Sequence, residues 1–122
     1  MSEPRVGETY SRIEINKMLG GNIRDYMPIS NDTVVCVCLT KEMNPNAPGI
    51  ILVGKGKSTE NAAERFLEQT WTVPLFIKQR ENEWEYIGNY RAVSSEKDPE
   101  KVTVLGAKAG RLDVVTVLYL EK

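Results

Sequence analysis

Short apolar segments, separated by turns rich in glycine, proline and asparagine, most constrain how this 122-residue chain can fold. Two segments have a helical pattern: residues 11–19, which open on the capping-box spacing of Ser11 and Glu14, and residues 59–69. Five other segments are typical of β-strands: 33–39, 50–53, 73–79, 84–93 and 114–120. Two helices are too few for the crossovers of a doubly wound parallel sheet. The order therefore predicts an α+β fold, with two helices on a strongly bent β-sheet or small barrel.

The remaining segments are predicted with less regular structure. Residues 94–101 are expected to form a polar loop, and no element is predicted for residues 102–111. Hydrophobic residues make up 41% of the chain and charged residues 27%, which excludes a mostly disordered protein. No apolar run is long enough to cross a membrane, and the first nine residues lack the pattern of a signal peptide. We expect one cytoplasmic domain spanning residues 1–122.

Charge and the absence of histidine narrow the function classes. Sixteen Lys and Arg against 17 Asp and Glu give a net charge of −1, so any bound anion must be held by a local patch. The chain has no histidine, which removes the usual general base and the commonest metal ligand. Cys36 and Cys38 alternate in one strand, so we expect buried thiols rather than a disulfide or a metal site. We therefore predict a protein that is not an enzyme and holds no metal or cofactor.

The glycine-rich turn at 54–58 is the best candidate for an anion site. It joins a strand to a helix start, where free backbone amides and the positive helix end favour an anion. Lys55 and Lys57 add charge, and the amides of Ser58 and Thr59 complete a possible phosphate cradle. The alternative is a tight turn with solvated lysines, in which Ser58 or Thr59 is the helix N-cap.

Amide, aromatic and arginine side chains in loops are candidates for contacting a nucleobase. Amides bind base edges and aromatic rings stack on bases. The candidates are Asn22, Arg24, Tyr26, Asn44, Asn46, Trp71 and Arg91. Each has a structural alternative, because asparagine often stabilises its own loop, Trp71 can close the core and Arg91 can be a surface charge. The aromatic residues at 84, 86 and 90 are expected in the core.

An ordered set of motifs resembles a known domain type. The motifs are Gly20-Gly21, Tyr26-Met27-Pro28, Asn44-Pro45-Asn46-Ala47-Pro48, Trp84-Glu85-Tyr86-Ile87-Gly88-Asn89-Tyr90-Arg91 and Val117-Leu118-Tyr119-Leu120. Together they resemble a small domain of bacteria and phages with a PUA/SRA-like barrel. That resemblance implies nucleic-acid binding, and for SRA-type members a concave pocket for a flipped, modified base.

The sequence departs from that resemblance in two respects. It carries no nuclease or helicase segment, and its charge does not suit a duplex held through many phosphates. We therefore predict sequestration of a small phosphorylated nucleotide, such as a cyclic di- or oligonucleotide immune signal. In this it is similar to phage anti-defence sponges, which are compact, non-catalytic and oligomeric; a homo-oligomer in the bacterial host cytoplasm is expected.

In this hypothesis each type of candidate residue has a role. Lysines 55 and 57 neutralise phosphate, Tyr26 or Trp71 stacks on a base, and an asparagine at 22, 44 or 46 binds the base edge. The alternative function is a modified-base DNA reader acting with a separate effector. A third possibility is a protein-interaction module whose loops contact a partner.

Overall fold

The computed structural model describes residues 3–122. Met1 and Ser2, which belong to the segment in which no signal peptide was expected, lie outside the described residues. The elements follow in this order: β1 (Thr9–Tyr10), α1 (Arg12–Leu19), β2 (Ile29–Ser30), β3 (Thr33–Val34), β4 (Val37–Leu39), β5 (Ile50–Gly54), α2 (Lys57–Glu68), β6 (Val73–Arg80), β7 (Glu83–Glu96), α3 (Pro99–Lys108) and β8 (Val114–Glu121).

A strongly bent sheet organises the molecule, as the sequence predicts. Its strand order is β4-β6-β7-β8-β5, with β1 paired to β7. The 14-residue strand β7 joins the two halves, because residues 83–90 pair with β6 and residues 91–96 pair with β8. The register shifts between Leu75 and Phe76 and between Ala92 and Ser94 mark β-bulges, which bend a sheet. Strands β2 and β3 form a separate small hairpin.

Each of the three helices covers one hydrophobic cluster. Ile15 of α1 packs with Phe76, Phe66 of α2 enters the largest cluster, and Val102 of α3 packs with Val117. The aromatic residues at 84, 86 and 90 are buried, which confirms their predicted place in the core. Among the described residues, no helix is long and apolar enough to cross a membrane.

The first helix is confirmed with its capping box. The Ser11 hydroxyl accepts from the backbone N–H of Glu14, and the Glu14 carboxylate accepts from the N–H of Ser11. Gly20 ends the helix with φ +89°, a left-handed conformation that favours glycine. This end turns the chain toward the irregular segment at 21–28, which forms one side of the cleft described below.

The sequence predicts one continuous strand over residues 33–39, and this prediction is wrong for residues 35 and 36. This stretch divides into β3 and β4, and backbone N–H groups at positions 35 and 38 donate to the 21–28 segment. The N–H of Val35 donates to the carbonyl of Pro28 (2.9 Å), and that of Cys38 donates to Tyr26 (2.7 Å). Both cysteines are nevertheless buried and free, as expected.

The predicted cap of the second helix is also wrong. Helix α2 begins at Lys57, two residues earlier than expected, so Ser58 and Thr59 lie inside its first turn. Gly56 is the N-cap and provides no side chain. The carboxylate of Glu60 accepts from the N–H of Gly56 at 2.9 Å, which satisfies the N–H of the cap residue itself.

The fold has three helices where the sequence predicted two. Strand β7 continues to Glu96 and α3 follows at once, so the expected loop at 94–101 is wrong and residues 102–108 are helical. The Asp98 carboxylate accepts from the N–H of Lys101 as an N-cap, and Pro99 occupies the first helical position. This Asp-Pro start is a helix signal that was present in the sequence.

Candidate functional site

A cleft of about 330 Å³ lies where α1, α2, the sheet and two loops meet. We call it the central cleft. Its lining residues are Arg12, Arg24, Tyr26, Cys38, Leu39, Thr40, Met43, Asn44, Leu52, Gly54, Lys55, Thr59, Trp84, Arg111 and Asp113. This volume lies in the range of small-ligand sites.

Arg111 stabilises the floor of the cleft through hydrogen bonds. Its side chain is only 9% exposed and donates to both carboxylate oxygens of Asp113, at 3.0 and 2.9 Å. It also donates to the carbonyls of Met43 and Leu52, at 3.1 and 2.9 Å. The hydrogen bonds from Arg111 lower the pKa of Asp113. Gly54 permits this arrangement, since a Cβ there would lie 2.8 Å from Arg111 Nη2 and closer still to Asp113 Oδ2.

Asn44 presents a fixed amide to the cleft. It is 5% exposed, and its Oδ1 accepts from the N–H of Leu52 at 2.7 Å. That bond fixes the orientation of the amide plane and assigns its oxygen. The Nδ2 group donates to no acceptor among the described residues, and it remains available to a ligand. A fixed donor that the described residues leave free favours a ligand with a hydrogen-bond acceptor.

Two aromatic rings contribute to the walls. The hydroxyl of Tyr26 donates to the carbonyl of Thr59 at 2.6 Å, and burial raises the pKa of Tyr26 above its usual value. The ring of Trp84 lies beneath the guanidinium of Arg12, with 5.1 Å from Cζ to the ring centroid. Arg12 also donates to the carbonyl of Asp25 at 2.8 Å, which ties α1 to the loop on its side of the cleft.

The cleft also contains a thiol. Cys38 lines it, and Cys36 lies two residues before on the same side of the chain. A hydrogen bond from the Cys36 thiol lowers the pKa of Cys38, while the same bond and burial raise the pKa of Cys36. Both side chains are buried, which restricts access to the sulfur atoms.

Positive charge exceeds negative charge around this cavity. Arg12, Arg24 and Lys55 line it with Arg111, whereas Asp113 is the one acidic residue among its described lining residues. Since Asp113 is paired with Arg111, three cations remain without an acidic partner among the described residues. The cleft therefore provides the local positive patch that the overall charge of −1 requires for anion binding.

The structure brings together five of the eleven predicted site residues. Arg24, Tyr26, Asn44, Lys55 and Thr59 all line the central cleft. Ten lining residues were not predicted as site residues, and Arg12, Trp84 and Arg111 are the large charged or aromatic ones among them. The three residues lie far apart along the chain, and the sequence analysis expected Trp84 only as a core residue.

The other predicted residues lie outside the cleft lining. Asn22 caps its own loop by accepting from the N–H groups of Arg24 and Asp25. Trp71 is 51% exposed in a separate surface depression, and Arg91 lies 3.7 Å from Glu121. The remaining three, at positions 46, 57 and 58, are exposed, and Ser58 lines a small cavity of about 90 Å³ behind Tyr26.

Comparison with solved structures gives a likeness of fold. The crystal structure of the SUVH5 SRA domain in complex with hemimethylated CG DNA superposes with a TM-score of 0.62 at 10% sequence identity. The match covers 98% of this chain and 87% of the SUVH5 chain. The fold is therefore SRA-like, which confirms the architecture implied by the resemblance.

Comparison by sequence identifies a family. No curated protein matches the chain. Residues 9–105, from β1 into α3, match the family model described as a domain of unknown function, DUF6697. That segment contains most of the central cleft and omits only its Arg111–Asp113 floor. The chain belongs to the DUF6697 family.

Proposed function

We propose that the central cleft binds a single nucleobase of DNA, and that the protein is a reader of a modified base that acts with a separate effector. The observation that carries this proposal is the make-up of the cleft: apolar and aromatic walls, one fixed amide donor and unpaired cations within about 330 Å³. A flipped base requires these same features, namely a ring-sized apolar space and polar groups at its edge. The likeness to an SRA domain solved with hemimethylated DNA supports the proposal.

Each group has a role in this hypothesis. Asn44 Nδ2 donates to an acceptor on the base edge, and the rings of Tyr26 and Trp84 form the apolar wall. Arg24 and Lys55 are exposed at the cleft and contact the phosphates on either side of the extruded nucleotide. Charge-assisted hydrogen bonds to phosphate are among the stronger polar contacts, so these two residues supply affinity while Asn44 supplies selectivity.

The test is a binding series by fluorescence anisotropy with short DNA duplexes. Matched duplexes carry cytosine, 5-methylcytosine, 5-hydroxymethylcytosine or N6-methyladenine at one central position. We expect one modified base to bind at least tenfold tighter than its unmodified parent. A mismatch opposite that base should strengthen binding further, because an unpaired base costs less to extrude. Equal binding of all duplexes, matched and mismatched, would contradict a base reader.

A second candidate function is sequestration of a free nucleotide, such as a cyclic di- or oligonucleotide, by a cytoplasmic homo-oligomer. The net charge of −1 and the cations without acidic partners that line the cleft favour it, because they suit a small anion better than a long polyanion. Native mass spectrometry of the protein purified from cells tests it directly. A co-purified nucleotide and an oligomeric mass support sequestration, whereas an unliganded protein that binds modified DNA supports the reader.

A further inference from the structure

A second cavity opens beside the central cleft and is rich in basic residues. We call it the side groove; it measures about 470 Å³ and is lined by Thr40, Lys41, Glu42, Lys78, Gln79 and Arg80. Thr40 lines both cavities, so the groove begins where the cleft ends. Three of its six lining residues are cations and one is an acid. The positive character of the cleft therefore continues onto this surface.

The sheet register explains why the two cavities adjoin. The parallel pairing of β4 with β6 sets Leu39 opposite Ile77, which brings the residues that follow β4 beside the end of β6. Antiparallel pairing sets Lys78 opposite Trp84, a residue of the cleft wall. The Nζ of Lys78 lies 5.7 Å from the Trp84 ring centroid, and Arg12 lies over the same ring. One indole thus contacts a cation of the cleft and a cation of the groove.

The groove cations are held only by weak partners. Lys78 pairs with Glu81 at 3.4 Å, and Arg80 pairs with Glu83 at 2.8 Å. The Glu81 side chain is 87% exposed and that of Arg80 is 72% exposed. Exposed ion pairs contribute little and are screened by salt, so a phosphate can replace either carboxylate. Lys41 is exposed and donates to the backbone carbonyl of Ala47, a neutral acceptor.

We propose that the side groove binds the phosphate backbone next to the nucleotide held in the central cleft. The partner is then a DNA strand, since a free mononucleotide has no phosphates beyond the cleft. This inference rests on the proposed function and extends it from a base to the strand that carries the base. It also explains how a protein of net charge −1 holds a polyanion: seven cations line the two adjoining cavities, four of them without an acidic partner among the described residues.

The test compares two probes with the parent protein and a triple variant, Lys41→Ala with Lys78→Ala and Arg80→Ala. The probes are 5-methyl-dCMP and a single-stranded DNA of about ten nucleotides with one central 5-methylcytosine, a length within the usual range of strand-binding sites. We expect the triple variant to bind the strand more than tenfold more weakly than the parent does. Its affinity for the mononucleotide should stay within twofold of the parent value. The slope of log affinity against log salt for the strand should fall by about 2, for three lost phosphate contacts.

Two control variants separate a local contact from overall charge. The first control is a second triple variant, Lys97→Ala with Lys101→Ala and Lys108→Ala. It removes three lysines that line neither cavity, two of which are paired with glutamates. It should leave the strand affinity within about threefold of the parent. Glu81→Gln with Glu83→Gln frees the groove cations and should tighten strand binding by several fold.

The possible outcomes distinguish this inference from the proposed function. The groove inference is overturned if the parent binds the strand no more tightly than 5-methyl-dCMP. It is also overturned if both triple variants lower the affinity for the strand equally. In either case the base-binding cleft stands. Loss of mononucleotide binding in the groove variant also overturns the groove inference, because the three residues then support the cleft itself. If the parent binds neither these probes nor any modified duplex, the proposed function fails first.

Discussion

In the proposed function, Asn44 is the side chain on which ligand selectivity depends most directly. Asn44→Asp keeps an oxygen for the N–H of Leu52 but replaces the Nδ2 donor with a second acceptor. We expect binding of the preferred modified duplex to weaken by about 1.5 to 3 kcal/mol, the usual range for a lost specific base contact. Asn46→Asp is the matched control, because Asn46 is exposed and lies outside the cleft lining. Equal losses from both variants, measured by anisotropy, would indicate a charge effect rather than a base contact.

Tyr26 gives a stability prediction with a defined pH dependence. Tyr26→Phe removes the hydrogen bond to the Thr59 carbonyl and should cost about 1 kcal/mol near neutral pH. Burial raises the pKa of Tyr26 in the folded state, so above about pH 10 the unfolded chain loses this proton first. The unfolded state then binds fewer protons, and the parent loses stability as pH rises. The variant lacks that loss.

Urea unfolding of parent and variant at pH 8 and at about pH 11 checks this prediction. The difference in unfolding free energy should shrink at the higher pH. Tyr119→Phe is a suitable control, since its hydroxyl makes no hydrogen bond to the described residues. If the difference in unfolding free energy between the parent and Tyr26→Phe stays constant with pH, the raised pKa of Tyr26 is not its cause.

At the scale of elements, α3 packs against β8 through a glycine. A Cβ at Gly106 would lie 2.9 Å from the carbonyl oxygen of Arg111 and 3.2 Å from Val114 Cβ. Glycine to alanine in a free helix stabilises by up to about 1 kcal/mol, but overpacking costs about 1 to 3 kcal/mol. We therefore expect Gly106→Ala to lower the melting temperature. The exposed Thr103→Ala on the same helix should raise it slightly, and a rise in both would refute the close contact.

The start of α2 lies between Lys55 and Lys57, two lysines that the sequence analysis gave the same role in binding phosphate. Lys55 lines the central cleft, whereas Lys57 is the first residue of the helix and does not. Lys55→Ala should weaken DNA binding by about tenfold, and Lys57→Ala should change it less than twofold. Both side chains are exposed, so neither variant should alter the melting temperature. Calorimetric titration checks the affinities, and similar losses from both variants would instead support the predicted cradle at 54–58.

Local signals explain which elements the sequence predicts correctly. The capping box at Ser11 defines α1 because its hydrogen bonds lie within four residues. The break between β3 and β4 depends on bonds to Pro28 and Tyr26, which lie in another loop, and no pattern in 33–39 encodes it. The third helix had a local signal at Asp98 and Pro99, but its β-branched run Val102-Thr103-Val104 is equally typical of a strand.

For the whole molecule, the candidate site is assembled from parts that no single segment specifies. Asn44 could be predicted because loop asparagines are common base-edge donors. Arg111 could not, because its role depends on the carbonyls of Met43 and Leu52, which only the folded chain brings to it. Overall charge was likewise misleading by itself, since a value of −1 conceals cations concentrated at the cleft and the side groove.

The same assembly predicts that a bound nucleotide leaves the protein chemically unchanged. The chain has no histidine, and the carboxylate of Asp113 is held by two hydrogen bonds from Arg111, which lower its pKa and its strength as a base. The Tyr26 hydroxyl is bound to Thr59 and its pKa is raised, so it supplies no base near neutral pH. General base catalysis needs a group that titrates near the working pH.

Cys38 has the most nucleophilic side chain among the remaining cleft residues, and its accessibility decides whether it can react with a ligand. It is 3% exposed, so attack on a phosphate or a base requires the cleft wall to open. We expect 5-methyl-dCMP and methylated oligonucleotides to be recovered intact by liquid chromatography after long incubation between pH 6 and 8, with the protein mass unchanged. Nucleotide turnover that Cys38→Ser abolishes, or a covalent adduct at Cys38, would replace the reader with an enzyme.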